Sequence, residues 1–115
     1  MTEGRKDDAT KPRVELVPPC FIRAAARALA HGADKYTDPD GPNYLKVDGG
    51  ERRYYAAALR HLMAWFEGEH TDTDSGLAHL DCAAASVAIL IHREHEQARE
   101  PEPEPQVLDA LGRRV

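Results

Sequence analysis

Side chains that bind metal ions or move protons cluster in one stretch of the chain. His61 lies in one helical pattern, and the sequence HLDC in the next pattern supplies His79, Asp81 and Cys82. His79 and Cys82 are three residues apart, so on a helix they share a face and can ligate one ion. Asp81 points to another part of that helix and is the weaker co-ligand. His and Cys favour a softer ion such as zinc or manganese, whereas carboxylates suit magnesium.

The two helical patterns must meet for these residues to form one site. A polar turn centred near residue 71 joins them, and an antiparallel hairpin would place residue 61 opposite residue 81. His61, His79 and Cys82 would then fall within one or two helical turns of each other. The other interpretation is structural: two core histidines hydrogen-bonded to Asp or backbone groups, and one buried thiol. The spacing leaves both interpretations open.

The hairpin itself is predicted by apolar spacing between Tyr54 and His92. Apolar side chains recur at steps of three and four in both arms, which is typical of amphipathic helices. We expect an all-α fold of three main helices, with residues 54–67 and 75–95 antiparallel and a first helix packed across them. The stripes that should face each other or this first helix are Tyr54, Ala58, His61, Leu62 and Trp65 in one arm, and Leu77, Leu80, Ala84, Val87 and Ile91 in the other.

Proline and glycine predict the bounds of the first helix. It should run from about Pro19 to Ala30, with Gly32 as its C-terminal stop. Its expected buried side consists of Phe21, Ala24, Ala25, Ala28 and Leu29. The two prolines at the end of residues 11–19 forbid a helix before them, so this segment should be extended. Three of its side chains are expected to rest on the helices: Val14, Leu16 and Val17.

Turn and charge patterns predict the ends of the third helix. Thr73 or Asp74 can cap it, and it should begin near Ser75. At its far end His92 and His95 lie in a charged run, which is typical of a solvated helix end.

Composition divides the chain into three regions. Residues 1–10 are charged and lack periodicity, so they should form a flexible N-terminus. Residues 11–99 form the predicted all-α domain. Residues 100–115 open with a Pro/Glu repeat that cannot pack, so we expect a Pro/Glu-rich tail.

Charge and cysteine usage exclude several classes of protein. The net charge of −5 argues against general nucleic-acid binding, which needs a basic field. No apolar run approaches the roughly 20 residues that span a membrane. Cys20 and Cys82 have no CxxC spacing, and the polar N-terminus has no signal-peptide core. We therefore expect a reduced, cytoplasmic protein.

Four segments carry a resemblance to a known family. They are KPRVELVPP, GADKY, RHLMAWFEGE and DSGLAHLDCA, in that order. In this order and spacing they resemble the phage dATP/dGTP diphosphohydrolase family, itself similar to the MazG-like all-α nucleoside triphosphate pyrophosphohydrolases. The resemblance covers about residues 8–92. It implies a MazG-like helical bundle completed by oligomerisation, and divalent-metal hydrolysis of dATP or dGTP to monophosphate and pyrophosphate. It also implies that the cytoplasm is that of a bacterial or phage-infected cell.

The chain departs from the MazG-like acidic pattern. That pattern uses an acidic cluster on one helix and a Glu-x-x-Asp pair on the next. Here Ala58 and His61 stand where carboxylates would be expected, and His79 and Cys82 replace the pair. Two interpretations follow. Either the pocket binds nucleotide without cleaving it, or histidine ligands join Cys82 or Asp81 and acids from Glu67, Glu69, Asp72 or Asp74.

The resemblance and the residue chemistry together assign the expected roles. The catalytic candidates are His61, Glu69 and His79, and the metal candidates are His61, His79, Asp81 and Cys82. Magnesium or manganese is the expected ion, with zinc as an alternative. The expected partners are a deoxynucleoside triphosphate and further copies of the chain, as a dimer or higher oligomer. Phosphate or nucleotide contacts are expected from Lys11, Arg13, Lys35, Tyr36, Arg60 and Trp65.

Overall fold

A computed structural model describes residues 3–99 as an all-helical fold. Its three α-helices are α1 (Pro19–Lys35), α2 (Gly50–Phe66) and α3 (His79–Arg99), and the described residues contain no β-strand. α3 packs against both α1 and α2, so the predicted helical hairpin with a third packed helix is confirmed. The predicted tail lies outside the described residues. Two short 3-10 turns precede α1 and α2: Val14–Leu16 and Asn43–Lys46.

α1 begins where the sequence predicts and ends later. Pro19 occupies its first turn, where a missing N–H costs nothing. The predicted stop at Gly32 is wrong, because the carbonyl of Gly32 accepts the N–H of Tyr36 as an ordinary helical bond of 2.9 Å. The helix therefore continues to Lys35. The extra turn carries Lys35 to the wall of a cavity described below.

α2 ends in a glycine cap that fixes the direction of the following chain. Gly68 has a φ of 101°, a conformation that residues with a Cβ rarely adopt. Its N–H donates to the carbonyl of Trp65, and the N–H of Glu69 donates to the carbonyl of Ala64, which is the Schellman arrangement. This cap turns the chain back toward α3 and places Glu69 beside the start of that helix.

The loop between α2 and α3 replaces the predicted start of the third helix. α3 begins at His79 and not near Ser75, so the predicted caps at Thr73 and Asp74 are wrong. Residues 71 and 78 form an isolated antiparallel bridge, and the N–H of His79 donates to the carbonyl of His70 at 2.8 Å. The loop thus closes on itself, because its backbone groups bond across it and do not extend the helix.

Small side chains form the contacts between the helices. The buried apolar residues of the described chain are Ala25, Ala58, Ala83 and Ala85. No large side chain among residues 3–99 is fully buried. The predicted inward stripe of α3 is wrong, since Leu80, Val87 and Ile91 are 42%, 42% and 64% exposed. The apolar residues that α3 buries are instead small, namely Ala83 and Ala85.

The apolar residues that precede α1, and its first aromatic residue, are also exposed. Val14 and Leu16 belong to a 3-10 turn and are exposed, as is Val17, so the predicted packing of this segment on the helices is wrong. Phe21, predicted on the buried side of α1, is exposed as well. Among the described helices none is long and apolar enough to cross a membrane.

Candidate functional site

His61 and His79 meet across the α2–α3 hairpin. Their Nδ1 atoms are 2.9 Å apart and their ring centroids 5.2 Å apart. The antiparallel register predicted this juxtaposition. A neutral imidazole has one donor and one acceptor nitrogen. One of the two Nδ1 atoms therefore carries a proton and donates a hydrogen bond, and the other Nδ1 atom accepts that bond.

The second nitrogen of His79 faces a carboxylate without a formed hydrogen bond. His79 is buried, and its Nε2 lies 3.2 Å from Oε2 of Glu69, whose side chain is 52% exposed. The geometry is not that of a hydrogen bond, so no described residue satisfies this buried nitrogen. A buried polar atom in this condition costs free energy, and such atoms are concentrated at functional sites.

The α2–α3 loop brings Asp72 toward the histidines. Ser75 donates to Oδ2 of Asp72 from both its backbone N–H, at 3.2 Å, and its hydroxyl, at 2.7 Å. The Ser75 oxygen also accepts the N–H of Leu77 at 3.2 Å, and the Asp72 carbonyl accepts the N–H of Gly76. These bonds hold the Asp72 carboxylate in place, so the loop and not a helix positions it.

His61, Asp72 and Cys82 form a compact set of potential metal ligands. One donor atom from each side chain lies within 4.8 Å of the others. Sγ of Cys82 is also 4.0 Å from the Ser75 hydroxyl. All three residues line a cavity of about 270 Å³ between α1, the α2–α3 loop and α3. We call His61, Glu69, Asp72, His79 and Cys82 the histidine cluster.

Burial and hydrogen bonding set the protonation of the three donors. Burial lowers the pKa of His61, and the Asp72 carboxylate opposes this shift, so the ring favours its neutral form. The hydrogen bond from Ser75 lowers the pKa of Asp72, which keeps it ionised. Burial raises the pKa of the Cys82 thiol, with the Ser75 contact acting against it. At neutral pH the set is therefore an imidazole, a carboxylate and a protonated thiol.

Asp81 does not join this set. Its buried carboxylate accepts Nε of Arg27 at 2.7 Å and Nη2 of the same residue at 3.3 Å. The hydrogen bond to Asp81 raises the pKa of the Arg27 guanidinium, which keeps the guanidinium charged. Asp81, predicted as a metal ligand, instead ties α3 to α1, because two residues along a helix turn a side chain toward a different neighbour.

A second cavity continues from the first. It has a volume of about 520 Å³ and shares five wall residues with the smaller one. Tyr36, Tyr44 and Tyr54 line it together with Asn43. Burial raises the pKa of both Tyr44 and Tyr54, so their hydroxyls stay protonated and can donate hydrogen bonds. We call the two cavities together the groove, with a donor end at His61 and a tyrosine end at Tyr44.

The predicted nucleotide contacts divide into two groups. Lys35 and Tyr36 line the donor end of the groove. Arg60 and Lys11 are exposed and outside its wall, and Arg13 pairs with Glu15 at 3.0 Å. Trp65 lines a separate depression with Leu62, Met63 and Phe66, and none of these residues lines the groove.

A comparison with protein families identifies what kind of chain this is. The model of the family described as "dATP/dGTP diphosphohydrolase, N-terminal" matches residues 1–102. The chain belongs to this family. Comparison with curated proteins and with solved structures gives no significant match.

A divalent metal, which the diphosphohydrolase family implies, is compatible with the histidine cluster. Imidazole, carboxylate and thiolate are ligand types that zinc accepts, and a bound ion would displace the thiol proton. Nδ1 of His79 contacts His61, one of these three donors. The residues therefore fit a transition metal better than magnesium, which prefers oxygen ligands.

Several residues of the groove were not singled out by their sequence pattern. Ser75 was expected in a helix, Asn43 stood in a loop without periodicity, and Tyr54 was assigned to packing. Asp72 was one of four possible acids. The signal that could have found it was the Asp-x-x-Ser spacing, which is typical of a side chain that bonds the backbone three residues on.

Proposed function

We propose that this diphosphohydrolase-family protein hydrolyses dATP and dGTP to the monophosphate and diphosphate, with a divalent metal held by His61, Asp72 and Cys82. The observation that carries the proposal is the convergence of these three donors at the wall of a groove with a tyrosine end. A nucleotide fits such a groove lengthwise, with its phosphates at the donor end and its base against the tyrosines. The described activity of the family supports the choice of substrate.

His79 and Glu69 act as positioning residues for His61. If His61 donates from Nδ1 to Nδ1 of His79, its Nε2 keeps the lone pair that a metal ligand needs. His79 then carries its own proton on Nε2, beside the Glu69 carboxylate. This assignment places an N–H of His79 toward the Glu69 carboxylate. The other tautomer would place the lone pair of Nε2 there, and the negative carboxylate would repel it. Such partners typically fix the tautomer and orientation of a ligating histidine.

The reaction requires positive charge and a proton acceptor at the donor end. Water forms a bond to the α-phosphorus, the bridging bond to the β-phosphate breaks, and diphosphate leaves. When bound, a divalent cation supplies Lewis-acid stabilisation of charge on the phosphate oxygens. Lys35 lines the same cavity and provides a further cation for the phosphates. His31 and Asp74 also line it and can accept the proton that the attacking water releases.

The test is a product assay on the wild-type protein. dATP, dGTP, dCTP and dTTP are each incubated with manganese, zinc or magnesium. Nucleotide products are separated by ion exchange, and phosphate is measured with and without added inorganic pyrophosphatase. We expect monophosphate and diphosphate from the two purine substrates, with manganese or zinc more effective than magnesium.

A matched pair of histidine variants ties the activity to the site. His61→Ala should abolish diphosphate release, whereas His95→Ala should leave it unchanged, because His95 is exposed on α3 and outside the groove. Absence of hydrolysis by the wild type with every metal, combined with measurable dATP binding, would replace the proposal by the binding-protein alternative.

We also propose that a second copy of the chain covers the outer face of α2. Large apolar side chains follow this face at helical spacing, and Phe66 at its end is 84% exposed. The described fold buries only alanines as apolar residues, which is a small core for a stable monomer. An exposed apolar face of this kind typically marks a subunit interface. The face consists of Tyr55, Leu59, Leu62, Met63 and Phe66.

Light scattering at micromolar concentration tests this assembly. The wild type should have at least the mass of a dimer. Met63→Glu puts a charge in the centre of the face and should yield a monomer. Arg53→Glu, a charge change at an exposed position that helical geometry places on another side of α2, should not. A wild type with monomer mass would contradict the proposal.

A further inference from the structure

A second polar cluster lies between the tyrosine end of the groove and α3. Arg93 is buried on α3, and its guanidinium donates to both carboxylate oxygens of Glu51, at 3.0 and 3.1 Å. Its Nη1 also donates to the backbone carbonyl of Tyr44, at 2.6 Å. Gln97 donates to the Glu51 carboxylate at 3.0 Å. We call Tyr44, Gly50, Glu51, Arg93 and Gln97 the arginine cluster.

The cluster leaves no space for a side chain at Gly50. A Cβ built at this buried glycine would lie 2.6 Å from each terminal guanidinium nitrogen of Arg93. The guanidinium therefore lies directly on the first turn of α2. It joins three separate parts of the chain: α3, the start of α2 and the 3-10 turn Asn43–Lys46.

Arg93 is one of the groups that hold the turn Asn43–Lys46, and Nζ of Lys46 also contacts Oδ2 of Asp38 at 2.8 Å. Among its backbone bonds, the N–H of Leu45 donates to Pro42 at 3.2 Å, inside the loop itself. Tyr44 is held at both ends by α3, since its carbonyl accepts Arg93 and its hydroxyl is 2.6 Å from Nδ1 of His92. Asn43 and Tyr44 are the residues that this turn contributes to the groove wall. Arg93 is not itself among the residues that line the groove.

We infer that Arg93 is a positioning residue for nucleotide binding: it fixes the turn that forms the base-contacting wall of the groove. The inference rests on the proposed function. If the wall is correctly placed in only a fraction of the molecules, the apparent affinity for nucleotide equals the intrinsic affinity multiplied by that fraction. The phosphate-contacting donor end is formed by other elements, so its chemistry should not depend on Arg93.

The experiment separates base contacts from phosphate contacts. Steady-state kinetics for dATP and dGTP give KM and kcat, and inorganic tripolyphosphate serves as a competitive inhibitor that has no base. If Arg93→Met leaves the wall in place about a tenth of the time, KM rises about tenfold. We expect kcat and the inhibition constant of tripolyphosphate to stay within about twofold. Global destabilisation would instead weaken the binding of the nucleotide and of tripolyphosphate together.

Two further variants keep the test decisive. Gly50→Ala displaces the guanidinium without removing it, and should raise KM in the same way if Arg93→Met does not fold. Gln97→Ala is the matched control, because Gln97 contacts Glu51 from its exposed side and leaves Tyr44 untouched. Its KM should equal that of the wild type.

The outcomes distinguish this inference from the proposed function. An active wild type whose KM is unchanged in Arg93→Met and Gly50→Ala overturns the inference alone, as does a parallel rise in the tripolyphosphate constant. A wild type that binds dATP without releasing diphosphate overturns the enzymatic proposal. The dissociation constant of dATP in the same variants then decides the inference. A wild type that does not bind dATP overturns both.

Discussion

The histidine cluster and the arginine cluster are both polar groups at helix contacts, and they differ in how their atoms are paired. Every nitrogen of the Arg93 guanidinium has an acceptor. In the histidine cluster Nε2 of His79 is buried without a hydrogen bond, and the Cys82 thiol is held in its neutral form. The arginine cluster is fully paired by its own residues, whereas the histidine cluster contains a nitrogen and a thiol that are free to interact further.

The difference indicates different roles for two clusters of similar burial. A satisfied cluster stabilises and positions the elements that it joins. An incompletely paired cluster costs free energy, and such clusters are concentrated at functional sites. Substitutions in the histidine cluster should therefore reduce turnover more than stability, and those that remove or displace Arg93 should affect stability and binding. The following variants test this contrast, from the largest expected effect to the smallest.

Among the variants that follow, Asp72→Asn should have the largest effect on turnover. The amide keeps an oxygen that accepts the bonds from Ser75 but loses the charge of the carboxylate. Residues that only orient ligands cost about 10–100-fold when removed, so loss of a direct ligand should cost at least about 100-fold. The unfolding free energy should change by less than about 1 kcal/mol. Diphosphate release and urea denaturation measure the two quantities.

The control for this variant is Asp48→Asn, at an exposed loop position outside the groove. It should leave both quantities unchanged. Hydrolysis by Asp72→Asn at more than half the wild-type rate would remove Asp72 from the metal site.

His79→Ala should reduce diphosphate release by about 10–100-fold, because His79 orients His61 and does not itself ligate. Helical content, measured by circular dichroism, should stay nearly intact. An ordinary core histidine would behave differently: its loss would leave a cavity and chiefly lower stability. Wild-type hydrolysis in a folded but destabilised His79→Ala protein would therefore assign the histidine pair to the core.

Much of the hairpin could be predicted from the sequence, because its information is local and periodic. The spacing in α2 and the turn near residue 71 were enough to bring His61 and His79 together. Periodicity does not say which neighbour covers a helix face. It therefore predicted Leu80 and Val87 as core residues, although smaller residues of α3 make the contacts and these two are exposed.

Loop-borne and charged members of both clusters could not be predicted in this way. Asp72 reaches the site through hydrogen bonds of an irregular loop, which leave no repeat in the sequence. Arg93 and His92 belong to a charged run that is typical of a solvated helix end, yet the structure buries Arg93 and pairs His92 with Tyr44. Their partners are more than forty residues away along the chain, so only the tertiary fold identifies them.

Cys82 should be alkylated by iodoacetamide more slowly than the exposed Cys20. The thiolate is the reactive form, and burial raises the pKa of Cys82, so little thiolate is present at neutral pH. Its alkylation rate should rise about tenfold for each pH unit until the pH reaches that pKa. Zinc should slow alkylation of Cys82 and not of Cys20, as peptide mass spectrometry can measure. Equal rates with and without zinc would exclude Cys82 as a ligand.

Gln97→Ala should have the smallest effect, because it removes only the outer contact of the arginine cluster. The Gln97 side chain is exposed, and the Glu51 oxygen that it contacts also accepts Nε of Arg93. An exposed hydrogen bond of this kind changes the unfolding free energy by no more than about 0.5 kcal/mol. Urea denaturation can measure this, with Arg93→Met as the comparison that should lose clearly more. If Gln97→Ala destabilised the protein as much as Arg93→Met, the stability of the cluster would come from its exposed edge, and the contrast between a completed cluster and an incomplete one would fail.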